Sequence, residues 1–137
     1  MKIKSLALAL VASAALAGCA KTGSSTGADA SALAPTTSSG PLAMTLTFAP
    51  SPPKQGAETI TIALHDGGGT PIKGATVTVV THMPAMSMTG PSLTLQDNGD
   101  GTYAAVANLN YPTKWVFDAD ASSAAGSGRA EFAVDIR

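Results

Sequence analysis

The segment THMPAMSM, residues 81–88, concentrates side chains that could bind a soft metal ion. It contains three of the chain's five methionines and one of its two histidines. An imidazole with two thioethers suits Cu(I) or Ag(I), because polarisable sulfur matches a soft cation, whereas zinc and calcium prefer other donors. If the chain stays extended past the proline, we expect His82, Met86 and Met88 to project to one side and to bind one ion. Met83 is a fourth candidate ligand.

The same residues have an alternative interpretation as packing or docking groups. Methionine is a flexible gap filler, and burying one contributes roughly 1.5 to 3 kcal/mol. Met83 shares parity with the valines of the preceding alternating segment, which predicts that it faces the core and that His82 faces outward. Pro84 cannot donate a hydrogen bond to a sheet and is predicted to end the strand. An exposed pair of Met86 and Met88 could equally be a docking surface.

Several other polar or aromatic residues are predicted to be structural. Residues 97–101, DNGDG, lack the carboxylate spacing of an EF-hand loop and are predicted to form a hairpin turn. Asp118 and Asp120 share the outward parity of one strand, where solvated carboxylates are common. His65 lies beside a turn and is expected to face solvent. Trp115 is expected to be a buried core indole rather than a cation–π partner of a metal ion.

The composition excludes several functional classes. The chain has one cysteine and two histidines, and it contains no nucleophile elbow, phosphate-binding loop or dinucleotide-binding fingerprint. We therefore expect no enzymatic activity. Without Lys2 and Lys4, six of the eight basic residues remain against nine acidic ones, so the rest of the chain carries a net charge of about −3. Because there is no basic cluster, nucleic acid is not an expected partner.

The first 41 residues are expected to lie outside the folded domain. Two lysines precede an uncharged run over residues 6–16 that is too short to span a bilayer, which indicates a signal peptide over residues 1–18. The sequence Leu-Ala-Gly-Cys at its end resembles the lipobox of bacterial lipoproteins, and the resemblance implies lipidation of Cys19. Residues 19–41 are rich in Ser, Thr, Gly and Ala, a composition typical of a flexible linker.

Lipidation would hold the domain at a membrane, because each buried acyl methylene contributes about 0.8 kcal/mol. Ala20 stands where lipoproteins retained at the inner membrane of Gram-negative bacteria usually carry Asp. By this resemblance we expect the periplasmic face of the outer membrane if the bacterium is Gram-negative. Because lipidation uses the one cysteine, Cys19, any soft-metal site must rely on thioether and imidazole donors.

Residues 42–137 alternate apolar and polar side chains with the two-residue period of β-strands. Gly- and Pro-rich turns separate the alternating segments, and no helical period appears. The pattern predicts an all-β domain, an immunoglobulin-like two-sheet β-sandwich of about seven strands, with a small barrel as the alternative. Met44 and Tyr103 are predicted to face its core. The predicted strands cover residues 42–48, 58–64, 74–81, 93–96, 103–109, 115–118 and 131–136.

Three segments, in this order, resemble the YtkA-like or FixH-like domains of bacterial envelope proteins. They are GTPIKGA at residues 69–75, MPAMSM at 83–88 and GTY at 101–103, and the resemblance covers residues 48–137. It implies an immunoglobulin-like sandwich that occurs behind lipoprotein signals or fused to metal-efflux adaptors, often near copper-handling systems. Related domains often carry Met-Pro-Gly just before the Trp. Residues 111–115 here are YPTKW, so a metal site would have one ligand fewer.

These observations leave three hypotheses open. The first is a lipid-anchored envelope protein that binds Cu(I) or Ag(I) through His82, Met86 and Met88, with or without Met83, and exchanges the ion with a metal-efflux partner. The second is a metal-free interaction module that docks onto another envelope protein through a sheet edge or the Met-rich segment. The third is an accessory factor for assembly of a membrane oxidase, in which copper matters only to the client.

Overall fold

The computed structural model describes residues 32–137, and the regular elements in this range are strands apart from one 3₁₀ turn at Pro84–Met86. The predicted signal peptide, Cys19 and most of the predicted linker lie outside the described residues. Strands β2 to β8 correspond one to one to the seven predicted segments, so the all-β prediction is confirmed. The strands are β1 (Thr37–Ser39), β2 (Ala43–Ala49), β3 (Gly56–His65), β4 (Thr76–Met83), β5 (Met88–Asp97), β6 (Thr102–Leu109), β7 (Lys114–Ser123) and β8 (Gly126–Asp135).

The strands pair antiparallel in the order β1-β8-β7-β4-β5-β6-β3-β2 and fold into two facing sheets. Strand β5 connects the sheets, because it pairs with β4 along most of its length and with β6 only at Gln96 and Asp97. Phe48 of β2 and Phe117 of β7 meet edge to face across the interior, with ring centroids 5.4 Å apart. This contact between strands of different sheets confirms the predicted sandwich.

Residues just before β2 join the opposite edges of the two sheets. Leu33 exchanges two backbone hydrogen bonds with Leu46 of β2, at 2.7 and 3.1 Å, and β1 then pairs with β8. The sandwich is thus closed on both sides in the manner of a barrel, which covers edges that could otherwise pair with another chain. These residues fall in the segment predicted as linker. The sequence pattern does not reveal this pairing, because backbone hydrogen bonds to an edge strand need no alternation of apolar side chains.

The core is built from the inward-facing residues that the alternation predicts. Every strand except the short β1 contributes to it. Met44, Tyr103 and Trp115 are buried as predicted, each with at most 3% of its surface exposed. The largest fully buried side chains are Tyr103, Phe117, Phe132, Leu46, Ile60, Ile62, Leu64, Leu109, Val77 and Val79.

Two of the three segments that carry the family resemblance contact each other, in a cluster that we call the latch. The Tyr103 hydroxyl donates to the Ile72 carbonyl at 2.7 Å and accepts from the Ala75 amide at 3.0 Å. Gly101 has a φ of +91° and packs against Pro71, where an added Cβ would lie 2.6 Å from the proline side chain. The latch satisfies the buried phenol and holds the β3–β4 connection in place. It gives the segments GTPIKGA and GTY a structural role.

Because neighbouring strands are antiparallel, the connections gather at two ends of the sandwich. The latch end carries residues 40–42, 66–75, 98–101 and 124–125. The hairpin end carries residues 50–55, 84–87 and 110–113, together with the last residues after β8. The two ends are therefore formed by different sets of loops, and the Met-rich segment lies opposite the latch.

Candidate functional site

The β4–β5 hairpin forms where proline stops one strand and a left-handed residue begins the return. Strand β4 ends at Met83, as predicted, since Pro84 has no backbone N–H to donate. The 3₁₀ turn follows, and Ser87 takes a φ of +53°. Met83 then pairs with Met88 as the last register pair before the turn. The chain therefore reverses direction after Pro84. The predicted one-sided ligand set requires the chain to stay extended past the proline, so its condition is not met.

The four predicted metal ligands differ in burial and in the face of the hairpin that they occupy. Met86 and Met88 are 42% and 44% exposed at the tip, whereas Met83 is 4% exposed and belongs to the core, as its parity predicts. Directly opposite residues of an antiparallel pair lie on the same face. Met88 therefore shares the inner face with Met83, and His82, opposite Thr89, lies on the outer face. The hairpin therefore places Met83 and Met88 on its inner face and His82 on its outer face, with Met86 in the turn between the two strands.

His82 makes a contact that the strand pattern alone does not reveal. Its Nε2 lies 2.5 Å from Oδ2 of Asp118 on β7, and the two side chains are 34% and 30% exposed. A carboxylate only accepts hydrogen bonds, so Nε2 donates, and Nδ1 of the neutral ring keeps its lone pair. Histidines that bind metals commonly donate their second ring N–H to a carboxylate in this way. The register of β4 against β7 produces the contact. Val80 lies opposite Asp118, and His82, two residues further along β4, is the diagonal neighbour of Asp118 on the same face.

Asp118 and Asp120 face outward as predicted, but each has a specific partner. The Arg129 guanidinium donates to both carboxylate oxygens of Asp120, at 2.7 and 3.1 Å. Hydrogen bonding to Asp120 raises the pKa of Arg129 above its usual value. Because both side chains are well exposed, this ion pair contributes little to stability. The two aspartates are thus partners of other side chains and do not form an acid–base pair with each other.

A β-bulge shapes the strand that returns from the tip. The register of β4 and β5 shifts between Val80 and His82, so Gly90 and Pro91 together oppose Thr81. A Cβ on Gly90 would lie 2.2 Å from Thr81 Oγ1, so any larger residue there would force the Thr81 side chain to move. Thr81 is buried, and its hydroxyl has no hydrogen-bond partner among the described residues. The Gly-Pro dipeptide is the sequence signal that indicates this bulge.

The remaining candidates of the sequence lie outside this site. His65 ends β3 at the latch end, so it cannot complete a site at the hairpin. Residues 97–101 form the predicted hairpin turn, in which Asp97 accepts hydrogen bonds from two backbone amides. Trp115 is a core residue, as predicted. Its indole N–H donates to the Tyr111 carbonyl at 2.9 Å, which fixes the β6–β7 loop at the hairpin end.

Side chains that favour hard or borderline metals do not cluster in residues 32–137. In that range there is no group of three or more His, Cys, Asp or Glu side chains that could hold a metal ion. Met86 and Met88, two residues apart in sequence at the hairpin, are the exposed methionines among the described residues. None of the helical structure in the described part of the chain is long and apolar enough to cross a membrane.

The fold and the hairpin define a class of protein, a small closed β-sandwich that presents methionines on one hairpin. The sequence profile described as YtkA-like matches residues 36–119, more than half of the chain. The chain therefore belongs to the YtkA-like family, and the matched region includes both the latch and the hairpin. The family assignment indicates an accessory domain of the cell envelope.

Further comparisons add little to the family assignment. No curated protein matches the chain. A crystal structure of an engineered protein, solved at 1.98 Å by the Northeast Structural Genomics Consortium, is similar at 20% identity with a TM-score of 0.49. The similarity covers 76% of this chain and 21% of the engineered chain, so this chain spans about a fifth of that protein. A likeness at this level supports neither a function nor a partner.

Proposed function

We propose that this protein is a lipid-anchored, non-enzymatic accessory of the bacterial cell envelope that binds Cu(I) or Ag(I) at the tip of the β4–β5 hairpin. The observation that supports it is the exposure of Met86 and Met88, at 42% and 44%, in a domain that buries its other described methionines. Full burial of a methionine side chain contributes roughly 1.5 to 3 kcal/mol, and these two side chains realise only part of it. Two exposed neighbours of this kind favour a functional contact over packing.

Thioether chemistry determines the kind of ion. Neutral, polarisable sulfur binds soft monovalent copper and silver far better than it binds zinc or calcium. Met86 and Met88 are the primary donors in this proposal. Met83, directly opposite Met88, remains in the core and anchors the base of the hairpin. A site with two protein sulfurs leaves coordination positions open, which suits transfer of the ion to a partner by ligand exchange.

His82 is an auxiliary nitrogen donor in this proposal. Asp118 engages Nε2 and leaves Nδ1 as the atom that can bind a metal. The 3₁₀ turn that carries Met86 packs against β7, the strand that also provides Asp118. His82 and Met86 therefore both adjoin β7, which favours Met86 over Met88 as the sulfur that acts with the imidazole.

An exposed tip at the end of a rigid sandwich suits exchange with a second protein. We expect that partner to be a metal-efflux or oxidase-assembly protein of the same envelope, reached while Cys19 is held in the membrane. In this proposal the bound Cu(I) is cargo, so no catalytic residue is required. The core, to which Met83 belongs, contributes by holding the base of the hairpin in a fixed position.

An anaerobic Cu(I) competition titration tests the proposal. We would use residues 20–137, which lack the Cys19 thiol and retain every residue that the structure describes. We expect one Cu(I) per chain, and binding at least about tenfold weaker in Met86→Leu/Met88→Leu, a loss of about 1.4 kcal/mol. Leucine keeps the bulk and removes the sulfur. Met44→Leu, which removes a buried thioether far from the hairpin, is the matched control and should bind as the wild type does.

The remaining variants separate the auxiliary donor from the primary ones. His82→Ala should weaken Cu(I) binding less than the double methionine variant does. Loss of binding in Met44→Leu as well as in the double variant would indicate a general defect and count against the hairpin site. No stoichiometric uptake by the wild type would contradict the copper proposal and favour the metal-free interaction module.

A further inference from the structure

The two ends of the sandwich differ in apolar exposure. Four large apolar side chains are well exposed on the described domain, and three of them, Met86, Met88 and Tyr111, lie at the hairpin end. The fourth, Val106, lies within β6, away from both ends. The latch end exposes none of the large apolar residues among those described. Exposed apolar groups that gather at one end mark a surface that contacts something other than water.

Charged side chains are also distributed unequally between the ends. Among the described residues of the hairpin end, Lys54, Lys114 and Arg137 are exposed, against one exposed acid, Asp135. The other carboxylate at this end, Glu58, is 2% exposed, and its Oε1 accepts a backbone hydrogen bond in the β2–β3 loop. The exposed side chains of the hairpin end therefore carry a net positive charge.

The latch end has the opposite sign. Lys73 is its one described cation, against three aspartates, Asp66, Asp97 and Asp100, each within or directly beside a turn. Basic and apolar groups lie at one end and acidic groups at the other. An anionic lipid surface attracts the first end and repels the second, so it would orient the domain.

The direction of the chain points to the same end. Leu33 pairs with Leu46, and β1 runs antiparallel to β8, from the hairpin-end side toward the latch end. The described chain therefore approaches the sandwich from the side of the hairpin end. An anchor at Cys19 would connect to the domain on this side.

We propose that the hairpin end is a lipid-contacting surface that docks directly on an anionic membrane. Lys54, Lys114 and Arg137 approach the headgroups, while Tyr111 and the tip methionines enter the interfacial region, where tyrosine is favoured. The acidic latch end is repelled and faces away from the membrane. The contact requires neither acylation nor a bound metal, and it places the hairpin tip where a membrane-embedded partner could reach it.

Vesicle co-sedimentation of metal-free residues 20–137 tests the electrostatic half of this proposal. We would use vesicles of equal parts phosphatidylglycerol and phosphatidylcholine, with pure phosphatidylcholine for comparison. We expect binding to the anionic vesicles that falls as salt is added. Lys54→Gln and Lys114→Gln should each lower partitioning about fivefold, since a basic residue near such a surface is worth about 1 kcal/mol. Lys73→Gln at the latch end is the charge-matched control and should not lower it.

A second pair of variants tests the contribution of the exposed apolar side chains to membrane binding. Tyr111→Ser should lower partitioning onto the anionic vesicles, whereas Val106→Ser, at a more exposed residue outside the hairpin end, should leave it unchanged. Circular dichroism of each variant checks that it is folded. Absence of binding to anionic vesicles, or equal losses in Lys73→Gln and Val106→Ser, would overturn the proposal. Concentration-dependent self-association that Tyr111→Ser abolishes would also overturn it, because the occupant would then be a second copy of the chain.

Discussion

One residue at each end of the sandwich fixes the local backbone, Tyr103 through hydrogen bonds and Gly90 through its small size. Tyr103 supplies a hydroxyl that satisfies two backbone groups of the latch. Gly90 has no side chain, and this allows the bulged strand to pass close to Thr81. The stability of the hairpin and that of the latch can therefore be tested by one substitution each.

Tyr103→Phe should destabilise the protein by about 1 to 3 kcal/mol, because it leaves the Ile72 carbonyl and the Ala75 amide without their partner. Urea unfolding followed by tryptophan fluorescence measures the change. Tyr111→Phe is the control, since Tyr111 is 41% exposed and its hydroxyl can bond to water. Equal stability of Tyr103→Phe and the wild type would show that the latch bonds contribute nothing.

Gly90→Ala should destabilise the protein by about 1 to 3 kcal/mol through overpacking against Thr81. In Gly90→Ala/Thr81→Ala the hydroxyl that the new Cβ meets is absent, so much of the stability should return. A double-mutant cycle in urea isolates this coupling. Additive losses in the double variant would contradict the close approach of Gly90 to Thr81 Oγ1.

Among the elements, Pro84 predicts the end of β4, and the alternation predicts strands β2 to β8 and the inward position of Met83. It does not predict the reversal after Pro84, because a 3₁₀ turn and an extended segment both accept this sequence. It also does not predict the pair of His82 and Asp118. That contact depends on which strands are neighbours and in which register, and neither is encoded in the period of a single strand.

The β6–β7 loop offers a gain-of-function test of the hairpin end. Related domains often carry a methionine before the Pro of this loop, where this chain has Tyr111, and the loop lies at the same end as the tip methionines. Tyr111→Met should therefore strengthen Cu(I) binding, on the order of tenfold, in the competition titration. Val106→Met adds an exposed thioether elsewhere and should have no effect. Unchanged affinity in Tyr111→Met would place this loop outside the site.

At the scale of the whole molecule, the sandwich is closed along both sides by segments that pair with both sheets. Strand β5 joins β4 to β6, and residues 33–39 join β2 to β8. The composition of residues 33–39 predicts a linker. The sequence does not reveal their pairing, because backbone hydrogen bonds do not depend on which side chains are present. The crossing of β5 is equally hidden, since its alternation is the same whichever sheet it pairs with.

Removing residues 20–41 should lower the stability of the domain by about 2 kcal/mol or more, because several backbone hydrogen bonds with net values near 1 kcal/mol each are lost. The newly open edges should also promote aggregation. Urea unfolding and light scattering of residues 42–137, compared with residues 20–137, measure both effects. Equal stability and solubility of the two chains would contradict a structural role for residues 33–39.

The most direct test of the copper proposal is X-ray absorption at the copper edge of residues 20–137 loaded with one Cu(I). We expect sulfur neighbours in the first coordination shell, and we expect their loss in Met86→Leu/Met88→Leu but not in Met44→Leu. A shell of nitrogen and oxygen alone, or sulfur neighbours that persist in the double variant, would contradict binding at the hairpin tip.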